Sequence, residues 1–329
     1  MKLIFFSFKH RYRQKELNNF LKSRTFGKYF VLNLGGPFRH LIAKLLIFLR
    51  IGRTISCDGK PLITEKSRGI NFWMRGTTLH IPEDLKKLNN NFVTINNPLV
   101  QDKKIFQIYP IAIKQTQIRK DYKIIYISKI IIEANAEEKR IWEKYKIQMM
   151  EDFSLIDSKI FWEKIYTKDN NKLEKYFLYK KFKLLLRLEI IKNIKVMFDK
   201  KLHLIGDDWN LFSINSSPSN YNVKQIKKLY EGNICLDLGS MLGSVSLYSR
   251  SNQIIESGGL IIQSFQSDGK KMWGDLHDKI LFKNLPDLIT LLEKLLNDKN
   301  YCSILLQEIS ENFRHSDKSI EKSLDRIFM

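Results

Sequence analysis

The sequence predicts an α/β protein of two domains, and three observations carry that expectation. The first is the stretch LYSRSNQIIESGGLIIQSF, Leu247 to Phe265. It reads as a short helix with an apolar stripe at Ile254 and Ile255, stopped by Gly258 and Gly259, and followed at once by the apolar strand Leu260-Ile261-Ile262. A helix feeding a buried strand through a glycine turn is a layer signature of α/β folds. The second is size. A chain of 329 residues with 43% hydrophobic content has ample core for two domains and excludes disorder. The third is charge. Residues 202–329 hold 14 Lys+Arg against 16 Asp+Glu, whereas residues 1–201 hold 42 against 19. A coding bias toward Lys, Ile and Asn would charge both halves alike, so the split marks a boundary. We expect a basic domain over residues 1–198 and a near-neutral one over residues 199–329.

The elements follow in order. MKLIFFSF, Met1 to Phe8, is too short for a signal-peptide core and lacks a cleavage site, so it reads as a first strand. KYFVLNLGG (Lys28 to Gly36) is a strand meeting Gly-Gly-Pro, and Arg39 to Ile51 is a basic amphipathic helix. Strand candidates rich in Ile, Phe and Tyr recur at Gly69 to Thr77, Phe92 to Pro98, Ile105 to Ile113 and Tyr122 to Ile130. Residues 131–198 turn helical. Their last helix sets Leu178, Phe182, Leu185 and Leu186 on one face, with Lys180, Lys181, Lys183 and Arg187 around them. That pattern fits either a helix lying on a membrane or an interdomain helix with a solvated basic face.

Several polar groups are candidates for chemistry. Arg250, Gln253 and Glu256 recur every three residues, so they share a helix face beside the glycine turn. Such a face can hold a phosphorylated, hydroxyl-rich ligand, or it is a solvated face with a glycine cap. Gly35 and Gly36 follow a strand, with Arg39 and His40 opening a helix, an arrangement that can seat an anion or be a plain turn. Trp73, Arg75, Thr77 and His80 form a polar-aromatic cluster that suits a sugar or phosphate, with His80 able to act as a base, or else a surface hairpin. Asp207 and Asp208 follow the strand that ends at Gly206, where they bind a metal or cap a turn. Cys57, Cys235 and Cys302 are far apart and the six histidines are scattered, which argues against disulfides and zinc.

In the C-terminal half, HLIGDDW (His203 to Trp209), NYNVKQIKKLY (Asn220 to Tyr230) and NICLDLGSM (Asn233 to Met241) are followed by YSRSNQIIESGG (Tyr248 to Gly259) and LIIQSF. DKILFKNL and the helix PDLITLLEKLLND come last. In order and spacing these pieces, over about residues 202–329, resemble the C-terminal domain of GT-B glycosyltransferases, with the closest likeness to the group 1 and CgeB-type families. The resemblance implies two Rossmann-like domains facing a cleft, the N-terminal one a variant with added helices. It implies transfer of a sugar from a nucleotide-sugar to a cell-surface polysaccharide or lipid-linked acceptor. Arg250 would face the diphosphate, and Gln253 or Glu256 would bind ribose or sugar hydroxyls. The family's usual Glu, three residues after the Arg, is Gln253 here. Gly258 and Gly259 would let the backbone approach the donor, which Gly206 and Ser240 would also face. Gly35, Gly36, Arg39 and Arg75 would lie on the acceptor side, with His80 as base. No metal and no cofactor beyond the donor are implied.

Two other classes compete. LDLGSMLG, Leu236 to Gly243, resembles the D-x-G-x-G-x-G loop of S-adenosylmethionine-dependent methyltransferases, with Met241 at the central Gly and Glu256 placed as a ribose ligand 19 residues after Asp237. Only 86 residues follow Gly243, too few for the rest of such a domain at ~30 residues per βαβ unit. A non-catalytic basic protein binding membrane or nucleic acid is the other class, and dispersed lysines without a known module speak against nucleic acid. The basic half predicts peripheral association with an anionic membrane surface. The longest early apolar run, Leu41 to Ile51, is too short to span ~30 Å of hydrocarbon, so a cytoplasmic protein at the inner face of the membrane is expected.

Overall fold

Two largely parallel sheets with the same core strand order organise the chain. The structure, a computed structural model, describes residues 2–8, 25–26, 29–34, 38–49, 51, 53–57, 69–73, 91–93, 104–105, 113–165, 172–219, 222–239 and 246–314. These fall into two compact units, one within residues 1–112 and the other Ile113–Arg314.

The first unit holds β1 (Lys2–Phe8), β2 (Thr25–Phe26), β3 (Tyr29–Leu34), α1 (Arg39–Phe48), β4 (Arg53–Cys57), β5 (Gly69–Trp73), β6 (Asn91–Val93) and β7 (Lys104–Ile105). The order is β2-β3-β1-β4-β5-β6-β7, with every pair parallel except β2 with β3. Phe5 pairs with Leu32 on one side and Thr54 on the other. The unbroken apolar runs LIFF and YFVL are what strands of a parallel sheet require. β1, β3 and β5 lie within the segments the residue pattern gives, whereas β6 and β7 meet theirs only at Phe92, Val93 and Ile105. β4 escapes that reading because RTISC is short and only half apolar.

The second unit begins with β8 (Ile124–Ile127). Then come α2 (Ala136–Glu151), a 3-10 turn (Phe153–Asp157), α3 (Lys159–Ile165) and α4 (Lys172–Phe198). β9 (Leu202–Ile205), α5 (Val223–Tyr230), β10 (Ile234–Asp237), α6 (Ser249–Glu256) and β11 (Leu260–Ser264) follow. The short helices α7 (Gly269–Trp273) and α8 (His277–Ile280) lead to β12 (Leu281–Phe282), and α9 (Leu285–Asn297) and α10 (Lys299–Arg314) complete the unit. All its strand pairs are parallel, in the order β12-β11-β10-β8-β9. β8, β10 and β11 are buried along their whole length.

In each unit the first strand sits inside the sheet. The chain lays its next long strand on one side of it, then returns to the other side. The order therefore reverses beside β1 and beside β8, the doubly wound arrangement in which ligands bind beyond the carboxyl ends of the strands at the reversal.

The two units part before β8, whereas the charge pattern places the boundary at 198/199. β8 is the central partner of β9 and β10, and α2 to α4 form its crossover, so residues 113–198 belong with the second sheet. Charge misplaces the break because lysines on these helices pair locally: Lys181 with Glu138 at 2.7 Å, Lys146 with Glu189 at 3.2 Å. α4 is not a membrane helix either. Leu178, Phe182, Leu185 and Leu186 are buried, and so are Lys183 and Arg187. Lys183 pairs with Asp157 at 3.2 Å, and Trp142 and Trp162 each meet the Phe182 ring at 5.4 Å. α2 starts from a reciprocal cap, in which Asn135 accepts from the Glu138 N–H and the Glu138 carboxylate accepts from the Asn135 N–H, both at 2.9 Å.

Candidate functional site at the strand-order reversal

The carboxyl end of β10 is built around one buried carboxylate. Asp237 is fully buried. Its Oδ1 accepts from the Gly239 N–H at 3.1 Å and from the Tyr248 hydroxyl, and its Oδ2 accepts from the Ser251 hydroxyl and the Gln263 amide, both at 2.9 Å. Gln263 also donates to the Ser246 carbonyl at 2.7 Å, and its own carbonyl accepts from the Trp273 indole at 3.3 Å. Gly239 adopts φ +76°, which turns the chain sharply away from β10. Its carbonyl receives a hydrogen bond from Arg187 Nη2, which reaches across from α4.

Arg250 enters this cluster from the first turn of α6. Burial disfavours its charge, but the phenols of Tyr248, Tyr230 and Tyr126 and the carboxylate of Asp237 outweigh that and hold the guanidinium firmly protonated. Burial pushes the Tyr248 and Tyr230 hydroxyls upward. Two donors at the same end remain unspent. The Tyr126 hydroxyl on β8 and Arg187 Nε are both buried with no hydrogen-bond partner among the described residues. Orphan buried groups are rare enough to require an explanation, and a ligand is one.

The structure separates residues that the sequence groups together. α6 runs antiparallel to β10 and β11, so Arg250 lies at the carboxyl end of the sheet and Glu256 about 9 Å further along the helix axis, at ~1.5 Å per residue. Glu256, Gly258 and Gly259 sit at the amino end. The Gly258 carbonyl accepts from the Gly232 N–H at 3.0 Å and from the Thr116 hydroxyl at 2.7 Å, and Glu256 lies 3.8 Å from Lys227 Nζ. A Cβ at Gly258 would lie 2.3 Å from Thr116 Oγ1, and one at Gly259 2.7 Å from Cys235 Sγ. These two glycines permit close packing of the chain on itself, and they line a cavity of about 400 Å³ at the amino end, together with Thr116, Leu306 and Ser310. Gln253, half-buried, lies between the two ends.

Gly206 is at the carboxyl end, after β9. Its φ is +149°, and a Cβ there would lie 1.9 Å from the Ser128 carbonyl oxygen, which also accepts from the Trp209 indole at 2.6 Å. It is a close-approach glycine between β8 and β9. Asp207 is a turn anchor. Its carboxylate accepts from the Ser219 N–H at 3.1 Å and from the Ser219 hydroxyl, which hold it below the usual carboxylate range. Asp208 pairs with Lys129 at 3.3 Å. Among the described residues no group of three His, Cys, Asp or Glu is placed to hold a metal ion. Ser240, Gly35, Gly36, Arg75 and His80 lie outside the described residues, and of Arg39 only its place at the start of α1 is described.

The dinucleotide-like loop can be placed on the fold. LDLG ends β10, the third strand of its unit in chain order. An acidic ribose ligand would stand at the carboxyl end of the neighbouring β11, and that end reads Gln263, Ser264, Phe265, Gln266. Glu256 precedes β11 at the opposite end, so it cannot fill that role.

No protein-family model matches the sequence, and no curated protein matches it. Among solved structures, the crystal structure of TarM aligns over 88% of this chain at 11% identity and a TM-score of 0.47. The chain spans 58% of the length of that structure. A likeness that remote carries no argument about activity, and the strand order of the two sheets stands on its own.

Proposed function

We propose that the protein is a glycosyltransferase that binds a nucleotide-sugar at the carboxyl end of the second sheet and transfers its sugar to a saccharide or lipid-linked acceptor. The observation that carries this reading is the cluster at the β8/β10 reversal: a buried Arg187 and a half-buried, firmly protonated Arg250, with the Tyr126 hydroxyl and Arg187 Nε unspent. Cations drawn away from bulk water and free donors suit a diphosphate, whose oxygens accept several hydrogen bonds at once. Two successive doubly wound sheets support it further, since transfer needs one surface for the donor and one for the acceptor. In such a reaction the protein positions the partners and stabilises charge on the departing diphosphate. Gly35, Gly36, Arg39 and Arg75, with His80 as base, remain the acceptor-side proposal.

The proposed donor set keeps Gly206, Ser240, Arg250 and Gln253 and adds Tyr126 and Arg187. Glu256, Gly258 and Gly259 support the fold at the other end. The methyltransferase reading loses its ribose acid.

Tyr126→Phe tests the proposal. It keeps the ring and removes an orphan hydroxyl, so the fold should be unharmed. Affinity for the preferred donor among UDP-, GDP- and CDP-sugars should fall about tenfold by calorimetry, the worth of roughly one hydrogen bond to a charged group. Unchanged donor affinity would remove Tyr126 from the site, and tight binding of S-adenosylmethionine by the wild type would reverse the assignment.

A further inference from the structure

We infer that the outer face of α1 is a docking surface for an anionic lipid bilayer. This rests on the first unit alone and is independent of the donor site. Phe38, Leu41, Ile42, Leu45, Phe48 and Leu49 recur at three- and four-residue spacing, so they form one stripe along the helix. All six are exposed, with Phe38 at 69%, Leu41 at 66%, Leu45 at 53% and Phe48 at 80% of their full accessible surface. The helix packs on β1, β3 and β4. The apolar stripe of an amphipathic helix normally faces the core, yet this one leaves an apolar stripe in water. Contiguous exposed apolar surface of that kind marks an interaction site.

Charge identifies the occupant. Residues 1–112 carry 20 Lys+Arg against 6 Asp+Glu. By helical period, positions 39 and 44 fall at the two margins of the stripe, and the sequence places Arg and Lys there; Arg50 and Arg53 follow it. An apolar stripe with basic margins on a strongly basic unit matches the acyl boundary of an anionic leaflet: chains beneath, phosphates beside. Ten residues of helix extend only about 15 Å, half of what a span needs, so α1 would lie in the plane of the interface. Among the described residues no helix is long and apolar enough to cross a membrane. A nucleic acid would find no hydrogen-bond donors along the stripe, and a second equally basic copy would be repelled.

The test uses the full chain in flotation with vesicles of phosphatidylcholine alone, or with one third phosphatidylglycerol. The wild type should float with the anionic vesicles at low salt, bind them far less at high salt, and ignore the neutral ones. The variant Leu45→Glu with Phe48→Glu should lose binding by about a hundredfold while its circular dichroism and thermal transition stay unchanged, since both side chains point into water. Independently, the indole introduced by Phe48→Trp should be quenched by brominated acyl chains on binding. Four results would overturn the inference: no flotation, equal flotation with neutral vesicles, full binding by the double-glutamate variant, or an unquenched indole in vesicle-bound F48W protein. Concentration-dependent dimers abolished by the double-glutamate variant, with no vesicle binding, would assign the stripe to a second copy instead. Displacement from vesicles by short RNA, with direct RNA binding lost in that variant, would assign it to nucleic acid.

Discussion

Replacing Asp237 with Ala should destabilise the second unit more than any other single change at the reversal. Its carboxylate is fully buried and accepts from four donors: the Gly239 N–H, Tyr248, Ser251 and Gln263. Truncation leaves all four without that partner. A buried donor left unsatisfied costs about 1–3 kcal/mol. Such costs within one cluster do not add in full, so about 4 kcal/mol is expected, a large part of an ordinary stability of roughly 5–15 kcal/mol. Asp237→Asn keeps the shape and one acceptor oxygen and should cost about half as much. Denaturant unfolding followed with peptide-resolved hydrogen exchange across β10 and β11 measures both variants. A loss below about 1 kcal/mol for Asp237→Ala, with unchanged exchange in β10, would refute the picture of Asp237 as the anchor of the loop.

Gly206→Ala should cost about 3 kcal/mol or more, because its φ of +149° disfavours a side chain and the new Cβ would collide with the Ser128 carbonyl; a thermal transition like that of the wild type would contradict this. Burial, and then Lys123, hold the His203 pKa below its ordinary value of 6.5. The unfolded chain therefore takes up a proton that the native state resists, so this contribution to stability should be complete above pH 6.5 and fall as the pH drops below it. His203→Gln should flatten that part of the stability–pH profile, and an unchanged slope would exclude His203 as its source.

Much of the fold was legible in the residues because parallel strands are written as unbroken apolar runs. LIFF, YFVL and LII are each such a run, and each lies in a strand. The Gly258-Gly259 turn, the helix before it and the strand after it were legible for the same reason. The direction of α6 relative to the sheet was the missing piece. Spacing puts Arg250 and Glu256 on one helix face, but a face is a line along the axis, and here it runs from one end of the sheet to the other. The domain boundary failed for a different reason. Net charge records what a segment carries, and α4 is a basic helix whose Lys181, Lys183, Lys192 and Lys195 pair with carboxylates of the second unit. Arg187, Tyr126 and Gln263 had no sequence signal at all, since each looks like an ordinary residue of its helix or strand until the topology brings the three together. Asp237 did have one, the LDLG turn, where the same acid-and-glycine pattern serves to anchor a loop.

The most direct test of the account is where a nucleotide-sugar protects the chain. Hydrogen exchange should be measured with and without saturating UDP-, GDP- and CDP-sugars, and with S-adenosylmethionine as the competing ligand. A donor held at the β8/β10 reversal should slow exchange in peptides covering Tyr126 to Ile130 and Leu238 to Ser251, and leave those covering Glu256 to Gly259 unchanged. Protection centred on Glu256 to Gly259 and Thr116, or protection by S-adenosylmethionine with none by any nucleotide-sugar, would contradict it.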